Sequence, residues 1–162
     1  MALNLVTLVD RIKADSEEFW LSPTQWRKST VPQMLIWKSV RFSKTKASSV
    51  PVSRGVYSFV IACCTKGLPQ HGYLVYVGET GNTSKETLRS RFLSYFSEMK
   101  DQSRSVHYVL RKYQQYLYFQ FCEVHDKRRN LRKVEESLCD ALIPPYNVRD
   151  FSADMRAAKR AF

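Results

Sequence analysis

One carboxylate stands among apolar residues on the helix expected through residues 130–143. At about 100° per residue, Leu131, Val134, Leu138 and Leu142 share an arc that also contains Glu135, whereas Lys133, Ser137 and Asp140 take the other side. An ionised carboxylate removed from water costs several kcal/mol unless it is paired or binds a cation. Glu135 is therefore either salt-bridged to one of the chain's many arginines or a metal-binding or catalytic group. Two tyrosines raise a related question. Strict alternation sends Tyr57 to one face with Phe59 and Ile61, and Tyr76 to one face with Leu74 and Gly78. A phenol faces a core when its hydroxyl finds a partner. Two of them beside Gly55 and Gly78 on adjacent strands point to hydroxyls meeting in a cleft that the glycines leave open.

Arginines supply the complementary charge. Arg91 lies at the edge of an apolar stripe, one turn before Tyr95, and Arg89 flanks that stripe on its other side. Periodicity does not choose between them. Lys127, Arg128, Arg129, Arg132 and Lys133 cluster at the start of the Glu135 helix, either along a DNA backbone or as a charged turn and solvated helix face.

The elements that must position these groups follow from local pattern. Leu5, Leu8, Val9 and Ile12 recur at helical spacing within residues 3–20, and a short helix is expected from Pro32. Residues 43–54, rich in Ser and Lys, read as a loop. The runs GVYSFVIACC and YLVYVG form a hairpin with an enlarged loop at TKGLPQHG. A helix capped by Thr83 or Ser84 carries Leu88, Phe92, Tyr95, Phe96 and Met99 on one stripe, and VHYVLRKY forms another. YLYFQFCEV is a third strand, and the Glu135 helix stops at Pro144-Pro145. The expected architecture is α+β: a small three-stranded antiparallel sheet flanked by helices, with a helical extension over 1–50, a main domain over 51–150 and a basic tail over 151–162.

Twenty-six Lys and Arg against fifteen Asp and Glu give a formal charge of +11, which favours a polyanionic partner, most often nucleic acid, over a generally solvated basic surface. The amino-terminal stretch lacks the pattern of a signal peptide and no apolar run reaches spanning length, so a soluble, cytoplasmic protein without membrane association is expected. Cys63, Cys64, Cys122 and Cys139 form no C-x-x-C pair and are expected as reduced, packed thiols; His71, His107 and His125 are too scattered to complete a zinc site.

Taken together, Gly55-Val56-Tyr57, Tyr76-Val77-Gly78, Arg91 with Tyr95 in RFLSY, Glu135 and Asn147 in PPYN resemble, in order and spacing, the motifs of the GIY-YIG nuclease family over about residues 55–147. RFLSY has the form seen in the excision-repair branch. Two features depart from that family: the stretch between Tyr57 and Tyr76 is longer than its compact hairpin, and Glu79 stands where the excision-repair branch has lysine.

The resemblance implies hydrolysis of DNA phosphodiesters by an endonuclease of a microbial or phage type, in restriction, invader degradation, mobility or repair. Glu135 would hold Mg²⁺, with Mn²⁺ as a substitute, and Arg91 would bind the scissile phosphate. Tyr57 would act as general base or orient the water, assisted by Tyr76. Gly55, Gly78, Tyr95, Asn147, Arg128, Arg129 and Arg132 would position substrate or neighbouring side chains, Gly78 by letting the backbone turn away beneath the phosphate. A DNA-binding module that keeps the fold without cleaving, and an interaction domain whose polar groups are satisfied core residues, are the competing classes. Site specificity would come from the loops, the amino-terminal extension or a partner protein, and a homodimer is the other expected association.

Overall fold

Gly55–Cys63 (β2) and His71–Thr80 (β3) are rich in aromatic and β-branched residues and pair antiparallel. The computed structural model describes residues 5–32, 35–101 and 104–161. Around the hairpin, Leu117–Glu123 (β4) pairs with β2, and Lys38–Arg41 (β1) pairs with β4, giving a four-stranded antiparallel sheet in the order β1-β4-β2-β3. The fold is thus α+β with helices on both faces, and it has one strand more than the three expected. β1 belongs to the 1–50 segment read as helical; only Val40 of its four residues is less than exposed, so it carries no strong alternation to read.

The helices are Leu5–Ala14 (α1), Pro23–Lys28 (α2), Leu88–Glu98 (α3), Ser105–Lys112 (α4), Leu131–Leu142 (α5) and Ala153–Ala161 (α6). Proline at a helix start does operate in the amino-terminal segment, but at Pro23, where Ser22 accepts from Gln25 N. Of the helix expected from Pro32, residues 33 and 34 lie outside the described residues, and 35–37 are not helical. α3 starts later than expected because Thr87 and Ser90 form a reciprocal capping box. Asn130 caps α5, and Ile143 ends it in the left-handed region at φ 47°, immediately before Pro144. The expected basic tail is helix α6, anchored by Lys159 Nζ donating to Asn147 O at 3.2 Å.

Strand alternation divides the core. Tyr57, Phe59, Phe119 and Phe121 pack on one face with Leu88, Phe92 and Tyr95 of α3 and with Val106 and Leu110 of α4. Val56, Val77 and Cys122 pack on the other with Leu131, Val134, Leu138 and Cys139 of α5 and with Phe151. Alternation fails once. Phe59 pairs with Tyr76 but Val60 pairs with Leu74, so Val75 is an extra residue in β3. This bulge puts Val75 and Tyr76 in the same cluster and sends Leu74, expected beside Tyr76, to the α5 face.

The expected loop loses its last two residues to β3, and residues 64–70 connect the strands. His71 and Gly72, read as loop, already belong to β3, which runs for ten residues. α1 forms where its apolar spacing predicts, yet Leu5, Val6 and Ile12 remain more than half exposed.

Candidate active site

The strand and helix patterns bring Tyr57, Tyr95 and Arg91 into direct contact. Tyr57, the third residue of β2, is 1% exposed, and its hydroxyl lies 3.0 Å from that of Tyr95 on α3. Arg91, one helical turn before Tyr95, donates from Nε to the Tyr57 hydroxyl at 3.2 Å and lies 4.3 Å from the Tyr95 ring centre. Its Nη1 donates to Ser94 Oγ at 3.0 Å and to Glu98 Oε1 at 2.6 Å, while Nη2 has no acceptor among the described residues. Arg89 is a backbone clasp: Nε and Nη2 donate to the carbonyls of Val50 and Ser48. Geometry therefore separates two arginines that periodicity left equivalent.

Burial, followed by the neighbouring Tyr76, pushes the Tyr57 hydroxyl well above the usual phenol range, and Arg91 offsets this only in part. Arg91 itself is held charged: burial works against it, but Tyr57, Tyr95 and Glu98 more than compensate. Glu98 continues the network to His107, which is 4% exposed; Nε2 lies 3.2 Å from Glu98 Oε2, in a direction that makes no hydrogen bond. Glu98 lay in plain view, because Arg91, Ser94 and Glu98 follow i, i+3, i+7 spacing. His107 carried no such signal.

Tyr76 connects this knot to the carboxylates. It is 5% exposed, and burial, Tyr95, Glu135 and Asp150 all push its hydroxyl upward, against the nearby charge of Arg104. Glu135, on the expected inner side of α5, is pushed up to about 8 by burial, Asp150 and Glu79, with Arg132 and the Glu79 N–H opposing. Glu79, also raised chiefly by burial, leaves Oε2 buried without a hydrogen-bond partner. No salt bridge within 4.0 Å reaches Glu135 among the described residues. The ion pair that would have explained its position is absent there, although Arg132 acts on it at longer range.

Under-compensated oxygen ligands of this kind suit a hard divalent cation that retains most of its water. The described residues contain no group of three or more His, Cys, Asp or Glu side chains set for a metal, so Glu135 and Glu79 would be a sparse, open seat.

Several expected positioning residues make close packing or backbone contacts. A Cβ on Gly78 would fall 2.4 Å from Tyr57 Cζ, and one on Gly55 would fall 2.1 Å from Cys122 O. The space that the glycines leave is filled by protein, not held open as a cleft. β3 continues through Gly78 to Thr80 and turns at Gly81, whose φ is +79°, so the backbone does not turn away at Gly78. Asn147 is fully buried: Oδ1 accepts from Val77 N at 2.9 Å, and Nδ2 donates to Val77 O and to Asp150 Oδ2, each at 2.8 Å. It fastens β3 and orients Asp150.

The basic cluster does not act as a unit. Arg128 pairs with Asp126 at 3.2 Å on the turn, Arg129 lines a groove with Thr30 and Lys133, and only Arg132 acts electrostatically on Glu135 and Glu79. Arg54 and Arg104, which sequence reading did not single out, stand nearer the site: Arg54 acts on Glu79, and Arg104 acts on Tyr76. The four cysteines are free thiols. No helix among the described residues is long and apolar enough to cross a membrane. Comparison with protein-family profiles, with curated proteins and with solved structures returns no match.

Proposed function

We propose that this protein is a metal-dependent endonuclease that hydrolyses DNA phosphodiesters through a GIY-YIG-type site. The observation that carries the reading is Arg91: a partly buried guanidinium held by a tyrosine pair on β2 and α3, and linked through Tyr76 to an under-compensated glutamate. Phosphoryl transfer needs fixed positive charge where the phosphoryl oxygens gain negative charge, together with a way to orient the attacking water. Arg91, oriented by Tyr57 and Glu98, would offer Nη2 to the scissile phosphate.

Of the two roles open to Tyr57, burial favours orienting the water over accepting its proton, because a phenol so far above its usual range is a donor at neutral pH. Tyr76 has the same character. Mg²⁺ or Mn²⁺ at Glu135 would supply Lewis-acid stabilisation of the phosphoryl oxygens. The formal charge of +11 suits a nucleic-acid polyanion.

Supercoiled plasmid incubated with Mg²⁺, with EDTA, and with Glu135→Ala tests the reading. Metal-dependent nicking or linearisation, lost in the variant, is expected; folded wild-type protein that leaves the plasmid intact with Mg²⁺ and with Mn²⁺ would sink it. Glu98 favours a second reading, a DNA-binding module that does not cut. By occupying Arg91 Nη1 at 2.6 Å, it neutralises charge that a phosphate would otherwise use. Binding without cleavage in the same assay would select it.

A further inference from the structure

A cleft of about 470 Å³ opens beside Tyr76, lined by Arg104, Ser105, Val106, Tyr146, Arg149 and Asp150. Two guanidinium groups line it from separate parts of the chain, Arg104 just before α4 and Arg149 in the connection between α5 and α6. Arg149 forms no salt bridge or hydrogen bond among the described residues. Arg104 pairs with no carboxylate there, and its charge acts instead on the nearby Tyr76 hydroxyl. This contrasts with Arg91, Arg128 and the cations around Glu17 and Glu123, all of which have acidic partners.

The same wall holds the amino-terminal end of α4. Arg104 is the cap residue without a side-chain acceptor, and no acidic residue lies in the first turn. The partial positive charge of that end is thus added to the two arginines with nothing on the helix to offset it. Asp150 is the one acid in the lining, and its Oδ2 is engaged by Asn147 Nδ2 at 2.8 Å. Cleft, paired guanidinium groups and helix end all favour one ligand chemistry: a tetrahedral oxyanion bearing several acceptor oxygens.

We infer that this cleft is a second phosphate subsite, taking the nucleic-acid backbone phosphate adjacent to the one at Arg91. The inference rests on the nucleic-acid reading above and extends it. Arg104 links the subsite to the reaction centre electrostatically, since it lines the cleft and its charge acts on Tyr76. A seated phosphate would draw Arg104 toward the strand and so set where Tyr76 points. Because the contact is to phosphate, it contributes register and affinity without base preference.

The test measures binding of a fluorescent single strand and of a duplex in EDTA across a salt series. Arg104→Gln, Arg149→Gln and Arg149→Lys are compared with Lys66→Gln, which removes equal charge from the connection between β2 and β3, on no wall of this cleft. The slope of log affinity against log salt falls by about 0.7 for single strands or about 0.9 for duplex with each lost phosphate contact. That fall is expected for both glutamine variants, with Arg149→Lys and Lys66→Gln near wild type. Unchanged slopes in Arg104→Gln and Arg149→Gln, or an equal fall in Lys66→Gln, overturn the subsite. Wild-type protein that binds neither nucleic acid overturns it together with the nucleic-acid reading. Plasmid cleavage is scored separately: cutting with unmoved slopes removes the subsite and leaves the nuclease, and shifted slopes without cutting do the reverse.

Discussion

The two halves of the candidate site are built on opposite electrostatic plans. On the α3 side, Tyr57, Tyr95, Arg91, Ser94 and Glu98 form a closed set in which nearly every polar atom has a partner. On the α5 side, Asp150 and Glu79 both raise Glu135, and Glu79 Oε2 is buried and unpartnered. The first half is internally paired except at Arg91 Nη2, and its geometry is fixed before any substrate arrives. The second stores unfavourable energy that a cation or a proton would release. Preorganisation and incompleteness in one site separate positioning from chemistry, and each can be broken independently.

The largest effect is expected on the incomplete side. Glu135→Ala should lower plasmid cleavage about a thousandfold or more, as for loss of a principal charge-stabilising group, while anisotropy shows nucleic-acid affinity within about threefold of wild type. Comparable losses of binding and cleavage would mean that Glu135 is structural, and the contrast between the halves would disappear.

On the complete side the cost should fall on stability. Arg91→Ala leaves Glu98 and the tyrosine pair without their cation, and chemical denaturation should show a loss of about 2 kcal/mol, reduced from the fully buried case because the pair is partly solvated. Adding Glu98→Ala should recover part of that loss. If the double variant were no more stable than Arg91→Ala alone, the ion pair would be incidental to the knot.

The halves should also differ in their response to pH. The Glu135 carboxyl, at about 8 when folded, binds its proton more tightly than in the unfolded chain, so its contribution is greatest at low pH and is lost as pH rises through about 8. Glu98 is lowered: burial raises it, but Arg91 and hydrogen bonds prevail, and its contribution is lost as pH falls instead. Melting temperatures from about pH 5 to pH 9 should decline in wild type and flatten in Glu135→Gln. At the alkaline end Mg²⁺ should raise the melting temperature of wild type only, by binding the ionised carboxylate. The same decline in both proteins would assign it to other groups.

The smallest effect sharpens the contrast. Tyr57→Phe removes one buried hydrogen-bonded hydroxyl and should cost about 1 kcal/mol. Its cleavage rate decides the role of the group: full activity would exclude Tyr57 from handling the attacking water, whereas a loss much larger than the stability change would place it there.

Much of this arrangement was legible in the residues. Glu135 drew notice because a carboxylate in an apolar arc conflicts with the rest of its helix, and the α3 stripe placed Arg91 beside Tyr95. What stayed hidden was carried by tertiary placement. β1 lacked alternation, the Val75 bulge broke a period that cannot register an extra residue, and Arg104 and Asp150 lie in connections whose side chains have no periodic direction. Asn147 was legible in type but not in role, because its partner is the backbone of a distant strand.

That partnership bears on how the protein remains separate from its own copies. β3 is an edge strand, ten residues long and apolar in its middle, the kind of border on which another chain can add itself. Asn147 occupies both backbone groups of Val77 with its amide, and Tyr146 N donates to Val75 O at 3.1 Å. Two residues of a connecting segment thus stand in for a missing strand. At the opposite border β1 is only four residues long and carries Lys38 and Arg41. Replacing Asn147 would therefore do more than loosen a turn: it would expose a template for intermolecular strand addition, so aggregation on storage should report its loss.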